Sequence, residues 1–329
     1  MTTISDVAAR AGVSTATVSR VLNGKVVRED LAAAVRRAAQ ELDYSPNRIA
    51  RSLRRQAGDV VALILPDIEN PFYTSLARGV EDVAQEAGFS VVLCNSDDSP
   101  EKEERYLVIA QSENMAGVIL APASSTPSLT RFRSRSHAVV VVDRPVADDV
   151  DQVTFDNVAL GLSATAELVS RGFHRIACIT GPTVTRTAND RAAGWRQALG
   201  DAGLDAPDDY IVRANFRVDG GRRAMASLLA LEVPPDAVVA TNNLVGVGML
   251  QVLAEASSPE RELGVAVIGD LPFVTSRLDH LTLLPLRPRE MGLAAAHMLM
   301  ERVQGSAVPA RQVVQPVGGI TSAARVLRQ

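Results

Sequence analysis

The chain has 329 residues, a net charge of −4 and 47% hydrophobic content, enough for two or three domains with their own cores. Its apolar runs, such as residues 138–142, are strand-sized and far short of the roughly 18 residues of a membrane-spanning helix, so no membrane partner is expected. Charge is unevenly shared: residues 1–58 carry ten basic and five acidic side chains, near +5, against a remainder near −9. That is the footprint of a nucleic-acid reader joined to a body that does not bind nucleic acid.

Thr3-Ile4-Ser5-Asp6 has capping-box spacing and predicts a first helix over 4–11. Gly12 supplies a turn. Ser14 is placed to cap a second helix, because its hydroxyl accepts from an orphan backbone N–H. Val18, Val21 and Leu22 fall at i, i+3 and i+4 and form one apolar face. Thr15, Ala16, Ser19 and Arg20 fall elsewhere and face outward. Asn23-Gly24 tolerate the left-handed conformation that ends a helix. A helix, a glycine turn and a short second helix make the helix-turn-helix pattern. The same pattern serves in packed helical hairpins; the basic context favours DNA. Arg20 is the candidate base reader, since Arg bonds guanine O6 and N7 in a bidentate way. Thr15 and Ala16 are small enough to meet a thymine methyl, and Thr17 and Ser19 are suited to phosphates or packing. A third helix is expected over 29–43, and a short one over 46–54, opened by Pro46. Fewer than about 12 residues rarely hold as an isolated helix, which suits a hinge.

After Gly58 strands and helices alternate. Strands are expected at 60–65, 91–94, 118–120 and 139–142, with helices at 72–87 and 100–112. The cycle restarts with helix 160–171, then strand 175–180, helix 190–202, strand 210–213, helix 220–230, strand 237–240, helix 245–255 and strand 265–268. Strands apolar throughout belong to parallel sheets covered on both faces. Two such units make a cleft at the carboxyl ends of their strands. Asp143, Asn242 and Asp270 follow strands there, and Arg191 offers a planar fork of donors. Trp195 is assigned to packing. Cys94 and Cys178 read as buried reduced thiols. With no apolar signal segment at the N-terminus, the cytoplasm is the expected compartment. No metal-ligand cluster, nucleophile motif or P-loop occurs, and His137, His174, His280 and His297 are scattered. No cofactor, metal or catalysis is therefore expected. A solute-binding protein, or a sugar-active enzyme using Asp143 and Asp270, are the alternatives.

The chain resembles the LacI/GalR family of bacterial transcription regulators. The resemblance is carried by Ile4-Ser5-Asp6-Val7-Ala8, Ala11-Gly12-Val13-Ser14 and Thr17-Val18-Ser19-Arg20-Val21-Leu22-Asn23-Gly24, then by Tyr44-Ser45-Pro46-Asn47 and Ile49-Ala50-Arg51-Ser52-Leu53. It continues through Asp67-Ile68-Glu69-Asn70-Pro71-Phe72-Tyr73 almost to the C-terminus. It implies an α/β chain in three parts. An all-α helix-turn-helix DNA-binding domain spans 1–45 and a hinge helix and linker span 46–58. A two-lobed periplasmic-binding-protein-like effector and dimerisation domain spans 59–329. Its N-lobe is about 59–157 and 287–316, and its C-lobe about 158–285 and 318–329. The family pattern puts Thr15, Ala16, Thr17, Ser19, Arg20, Asn23, Asn47, Arg51 and Leu53 on DNA. Leu53 acts as a wedge at the centre of a near-palindromic operator with a C-G step; the rival reading is a basic linker. Phe72, Tyr73, Asp143, Thr187, Arg191, Phe216, Asn242 and Asp270 fall on effector positions, where the aromatic rings would stack on a sugar or base face; core filling is the rival reading for Phe72 and Phe216. The implied partners are operator DNA, a sugar or related polyhydroxy effector, and a second copy of the chain. Two stretches depart from the pattern. Val27-Arg28-Glu29-Asp30-Leu31-Ala32 lacks the usual capping Ser and the Thr and Arg near phosphate, which weakens binding at all sequences and flattens its salt dependence. Val267-Ile268-Gly269-Asp270 has one Asp where the family has two, so either Gly269 or Asp270 takes the cleft position.

Overall fold

The computed structural model describes residues 2–22, 26–44, 58–124, 127, 129, 137–255, 263–271, 281–316, 319 and 321–322. The chain divides into two compact units, Met1–Gly58 and Asp59–Gln329. The expected hinge helix over 46–54, and with it Asn47, Arg51 and Leu53, lies outside the described residues, as does Asn23.

The first unit holds helices α1 (Ile4–Ala11), α2 (Thr15–Leu22) and α3 (Glu29–Glu41). The capping box is formed: the Thr3 N–H donates to Asp6 Oδ2 at 2.7 Å, and the Asp6 N–H to Thr3 Oγ1 at 3.3 Å. Gly12 sits at φ +66°, where a side chain would be strained, and closes α1. Ser14 caps α2, its Oγ accepting the Thr17 N–H at 3.1 Å. Val7, Ala8, Val18, Val35 and Ala38 are the core of this unit. α3 ends two residues before the expected position, because Leu42 closes it and Asp43 turns left-handed at φ 45°.

The second unit contains two six-stranded sheets among the described residues. The chain first lays down β1 (Val60–Leu65), α4 (Pro71–Glu86), β2 (Ser90–Asn95), α5 (Pro100–Ser112), β3 (Gly117–Leu120), β4 (Ala138–Asp143) and β5 (Asp151–Phe155). It continues with α6 (Asn157–Ser170), β6 (Ile176–Thr180), α7 (Arg186–Asp201), β7 (Ile211–Arg213), α8 (Val218–Leu229), β8 (Ala237–Ala240), α9 (Asn243–Glu255), β9 (Gly264–Ile268) and β10 (Leu281–Leu284). α10 (Pro288–Val303), β11 (Gln312–Gln315) and β12 (Thr321–Ser322) complete it. The first sheet runs β11-β5-β4-β3-β1-β2 and is parallel throughout. The second runs β12-β10-β9-β8-β6-β7 and is parallel except for β12. The chain crosses between sheets after β5, after β10 and after β11. In both sheets the first strand has neighbours on opposite sides, the switch point where ligands bind in open α/β sheets.

β5 was not legible as a strand, because Asp151, Gln152 and Thr154 interrupt its apolar pattern. All three are buried. Asp151 is satisfied by Arg302 Nε at 2.8 Å and by Arg311 Nη2 at 3.2 Å, and the Gln152 amide donates to the Val146 carbonyl at 3.0 Å. α7 begins at Arg186, four residues before its expected start. Thr187 and Arg191 therefore lie one turn apart on one helix face. Trp195 is fully buried and donates to the Ile176 carbonyl at 3.1 Å. Both cysteines are buried free thiols.

Small residues set how closely the helices approach. A Cβ on Gly161 of α6 would stand 2.0 Å from the Arg191 carbonyl oxygen, and one on Gly194 of α7 2.1 Å from that of Val158. The backbones meet there with no room for a methyl group, and Arg191 leaves α7 at this crossing. Gly161→Ala is expected to lower stability by about 1–3 kcal/mol through overpacking. Gly200→Ala, on the open side of α7 with nothing within 4 Å, is expected to be neutral or to stabilise by up to about 1 kcal/mol through helix propensity. Thermal unfolding of the two variants beside the parent checks the contrast; equal midpoints for the two would refute it.

Candidate ligand cavity and nucleic-acid interface

A cavity of about 420 Å³ opens where the carboxyl ends of the two sheets face each other. Phe72, Tyr73, Asp143, Thr187, Arg191, Phe216, Asn242 and Asp270 all line it. Asp143 is the last residue of β4 and stands at φ +64°, a left-handed conformation uncommon for a residue with a side chain. It is buried, and its Oδ2 accepts the Tyr73 hydroxyl at 2.8 Å. Burial, reinforced by the Asp143 charge, pushes the Tyr73 phenol well above its usual range, so Tyr73 stays a donor.

Arg144 follows Asp143 into the wall and is also buried. Its Nη1 donates to Asp98 and to the Pro122 carbonyl, the latter at 3.1 Å. Its Nε lies 3.9 Å from Asp143 Oδ2 and has no hydrogen-bond partner among the described residues. Burial opposes its charge, while the neighbouring Asp98 and Asp143 carboxylates favour it and hold the guanidinium protonated. Beneath it, the Glu103 carboxylate accepts the Ala123 N–H at 2.6 Å, and burial pushes it up to about 7.

From the other lobe, Arg191 donates through Nε to Asn157 Oδ1 at 2.8 Å and through Nη1 to the Thr241 carbonyl at 2.6 Å. Burial lowers its pKa, and Asp143 works the other way. Asn242 Oδ1 accepts the Leu244 and Val245 N–H groups at 2.9 and 3.1 Å and so opens α9, which leaves its amide nitrogen as the group to offer. Thr187 is buried in the first turn of α7. Gly269 and Asp270 both line the cavity; Gly269 stands at φ +112°, a backbone closed to most side chains, and Asp270 beside it bears a carboxylate. Phe72 and Phe216 are half-buried on the cavity wall rather than in the core. The Phe72 ring meets Tyr73 edge-on at 5.0 Å, and the Phe216 ring lies over Gly181, where a Cβ would come within 2.1 Å of it.

Asn70, Arg144, Arg217 and Asn243 line the cavity as well and were not among the expected residues. Asn70 and Arg144 left a signal: an Asn before Pro71 is an N-cap, and a second charged residue after the apolar β4 run needs a reason to be there. Asn243 and Arg217 left none, since their partners lie 173 and 148 positions away. The wall carries four carboxylates (Asp67, Asp98, Asp143, Asp270) against three guanidinium groups (Arg144, Arg191, Arg217). Such a wall suits a neutral ligand rich in hydroxyls, which both accept from Arg and donate to Asp.

In the first unit, Thr15, Ala16 and Arg20 are exposed on α2, and Thr17 and Ser19 are half-buried. The Thr17 hydroxyl lies 2.9 Å from that of Ser14. Arg28 holds the N-cap place of α3 without capping it and pairs with Asp30 instead. Arg36 pairs with Glu29 at 2.9 Å, and Arg10 with Glu41.

Comparison with known proteins agrees with this anatomy. Residues 58–321 match the family described as "Periplasmic binding proteins and sugar binding domain of LacI family", and residues 3–47 match "Bacterial regulatory proteins, lacI family". The chain is 35% identical over 311 residues to the ribose operon repressor of Escherichia coli K12, covering 92% of this chain and 93% of that protein. It is 30% identical over 315 residues to the transcriptional repressor PurR of Actinobacillus pleuropneumoniae, covering 92% of each. The solved transcriptional regulator CelR in complex with cellobiose superposes with a TM-score of 0.72 at 29% identity, over 98% of each chain. The lac repressor dimer bound to operator shares the fold, with a TM-score of 0.83 at 21% identity over 98% of this chain and 99% of that one. The chain belongs to the LacI family of bacterial regulatory proteins.

Proposed function

We propose that this chain is a transcriptional repressor of the cytoplasm whose hold on its operator is set by a small polyhydroxy ligand. The observation that carries the reading is the cavity. Eight residues drawn from strand ends and helix starts in both lobes converge on one space of about 420 Å³, within the range of small-molecule sites. Asp143 accepts two ligand hydroxyls, Arg191 and Asn242 donate to ligand oxygens, and Phe72 and Phe216 cover the apolar faces of the ring. The ribose operon repressor is similar over nearly the whole chain, so D-ribose or a sugar of its size is the first ligand to test. Ligand bound between the lobes biases their separation and thereby the DNA-binding unit, a coupling typically of about 1–3 kcal/mol.

On the DNA side, α2 lies in the major groove. Arg20 reads a base, Thr15 and Ala16 open the reading face, and Thr17 and Ser19 support it. Asn23, Asn47 and Arg51 add contacts, and Leu53 wedges the centre of the site. A homodimer presents two such units to a near-palindrome. Its interface surrounds β2, an edge strand with Val92 and Leu93 exposed at 40% and 46%, and includes Val108 and Ile109 of α5 at 44% and 42%. Exposed apolar residues gathered along a sheet edge invite a partner.

Three outcomes test the reading. Arg20→Ala is expected to abolish preference for the cognate operator; an alanine protein that still separates cognate from scrambled DNA by more than tenfold would contradict the assignment. Asp143→Asn is expected to weaken D-ribose by one to two orders of magnitude in calorimetry, because charge-assisted bonds are worth roughly 1.5–3 kcal/mol. Saturable heat from the parent that the variant leaves unchanged would move the site elsewhere. Leu93→Asp is expected to convert a dimer to a monomer in analytical ultracentrifugation, and a persistent dimer would place the interface on another face.

A further inference from the structure

Arg217 occupies the N-cap position of α8, where Ser, Thr, Asp or Asn normally accept a backbone N–H, and it makes no capping bond. Its guanidinium crosses the cleft. Nη1 lies 3.0 Å from Glu69 Oε2 and Nη2 3.4 Å from Asp67 Oδ2, both on the loop between β1 and α4 of the other lobe. Arg217 and Asp67 line the cavity. A second tie sits deeper: the Asn243 amide donates to Asn70 Oδ1 at 3.0 Å, with both residues buried. Asn70 Oδ1 also accepts the Phe72 N–H at 3.0 Å, so the tie reaches the start of the helix that carries Phe72 and Tyr73.

We propose that Arg217 is a positioning residue for ligand binding: from the second lobe it clamps the Asp67–Glu69 loop over the cavity mouth and holds the walls bearing Phe72 and Phe216 together. The clamp rests on the reading of the cavity as the ligand site. Arg217 and Glu69 are exposed, at 46% and 77% of their side chains. Solvent and salt therefore reach this ion pair, and its strength falls with ionic strength. Both lobes keep their own cores when it breaks, so its loss appears in the separation of the lobes. Apparent affinity scales with the fraction of molecules in the binding-competent arrangement. Opening that leaves a tenth of the molecules closed raises the Kd tenfold.

The test uses the full chain with spin labels at Gln85→Cys on α4 and Gln197→Cys on α7, both exposed. Cys94 and Cys178 are buried, and burial raises their thiol pKa, Cys178 to about 12, so they do not compete for label. Arg217→Glu is expected to lengthen and broaden the inter-label distance without ligand, and to raise the Kd for D-ribose about tenfold. Arg217→Lys and the charge-swapped Glu69→Arg/Arg217→Glu protein are expected to return both quantities toward the parent. In 1 M KCl the parent's distances are expected to move toward those of Arg217→Glu. An unchanged distance distribution in Arg217→Glu overturns the proposal. So does weaker ribose binding with no change of distance, or a charge swap that restores nothing. If the distances respond as expected while ribose titrates on no variant and not on the parent, the clamp stands and the ribose reading falls.

Discussion

The cleft is organised by a buried carboxylate that must be compensated. Asp143 ends a fully apolar strand, in a left-handed backbone conformation, with almost no access to water. A charge in such a place is costly unless it is paired and hydrogen-bonded. Tyr73 supplies one bond from α4, Arg144 stands close behind, and Arg191 brings a second buried cation from the other lobe. Each partner needs partners of its own. Asp98 and the Pro122 carbonyl take Arg144; Asn157 and the Thr241 carbonyl take Arg191. The result is a polar network of fixed geometry whose remaining groups face the cavity. The buried Arg144 Nε has no hydrogen-bond partner among the described residues.

The glycine contacts explain how that network is held in place. Arg191 projects from α7 where α7 lies directly against α6, and Asn157 at the first turn of α6 is its partner. The same device recurs where α4 meets α10 at Gly79 and Gly292, and where α8 meets α9 at Gly221 and Gly248. In each pair a helix that begins at the cleft is locked against a neighbour by backbone contact. Side chains at those helix starts are thus placed by rigid elements, which is what a site needs if small movements of its walls are to matter.

The DNA-binding unit treats its charge differently. Arg10, Arg28 and Arg36 are paired with carboxylates of the same unit. Exposed pairs of this kind add little stability, but they lower the positive potential that this side of the unit presents to phosphate. Thr15, Ala16 and Arg20 stay exposed on α2. The start of α3, acidic at Glu29 and Asp30, therefore presents little net positive charge.

By itself the sequence determined what local physics controls. Capping residues at Thr3 and Ser14, the glycine turn at 12 and apolar spacing located the headpiece helices. Continuous apolar runs located most of the strands, and the polar residues that end them (Asp143, Asn242, Asp270) pointed to the cleft, since a parallel sheet gathers its strand ends at one edge. Tertiary structure decided what depends on distant partners. β5 reads as polar until Arg302 and Arg311 arrive, some 150 positions later, to neutralise Asp151. Arg217 looks like a poor helix cap until Asp67 and Glu69 are found opposite it. Gly269 and Asp270 competed for one cleft position in the sequence, and the fold brings both to the cavity wall. A residue's periodicity and its neighbours in the chain set its local conformation; the meaning of a buried or misplaced charge is set by a partner that only folding brings near.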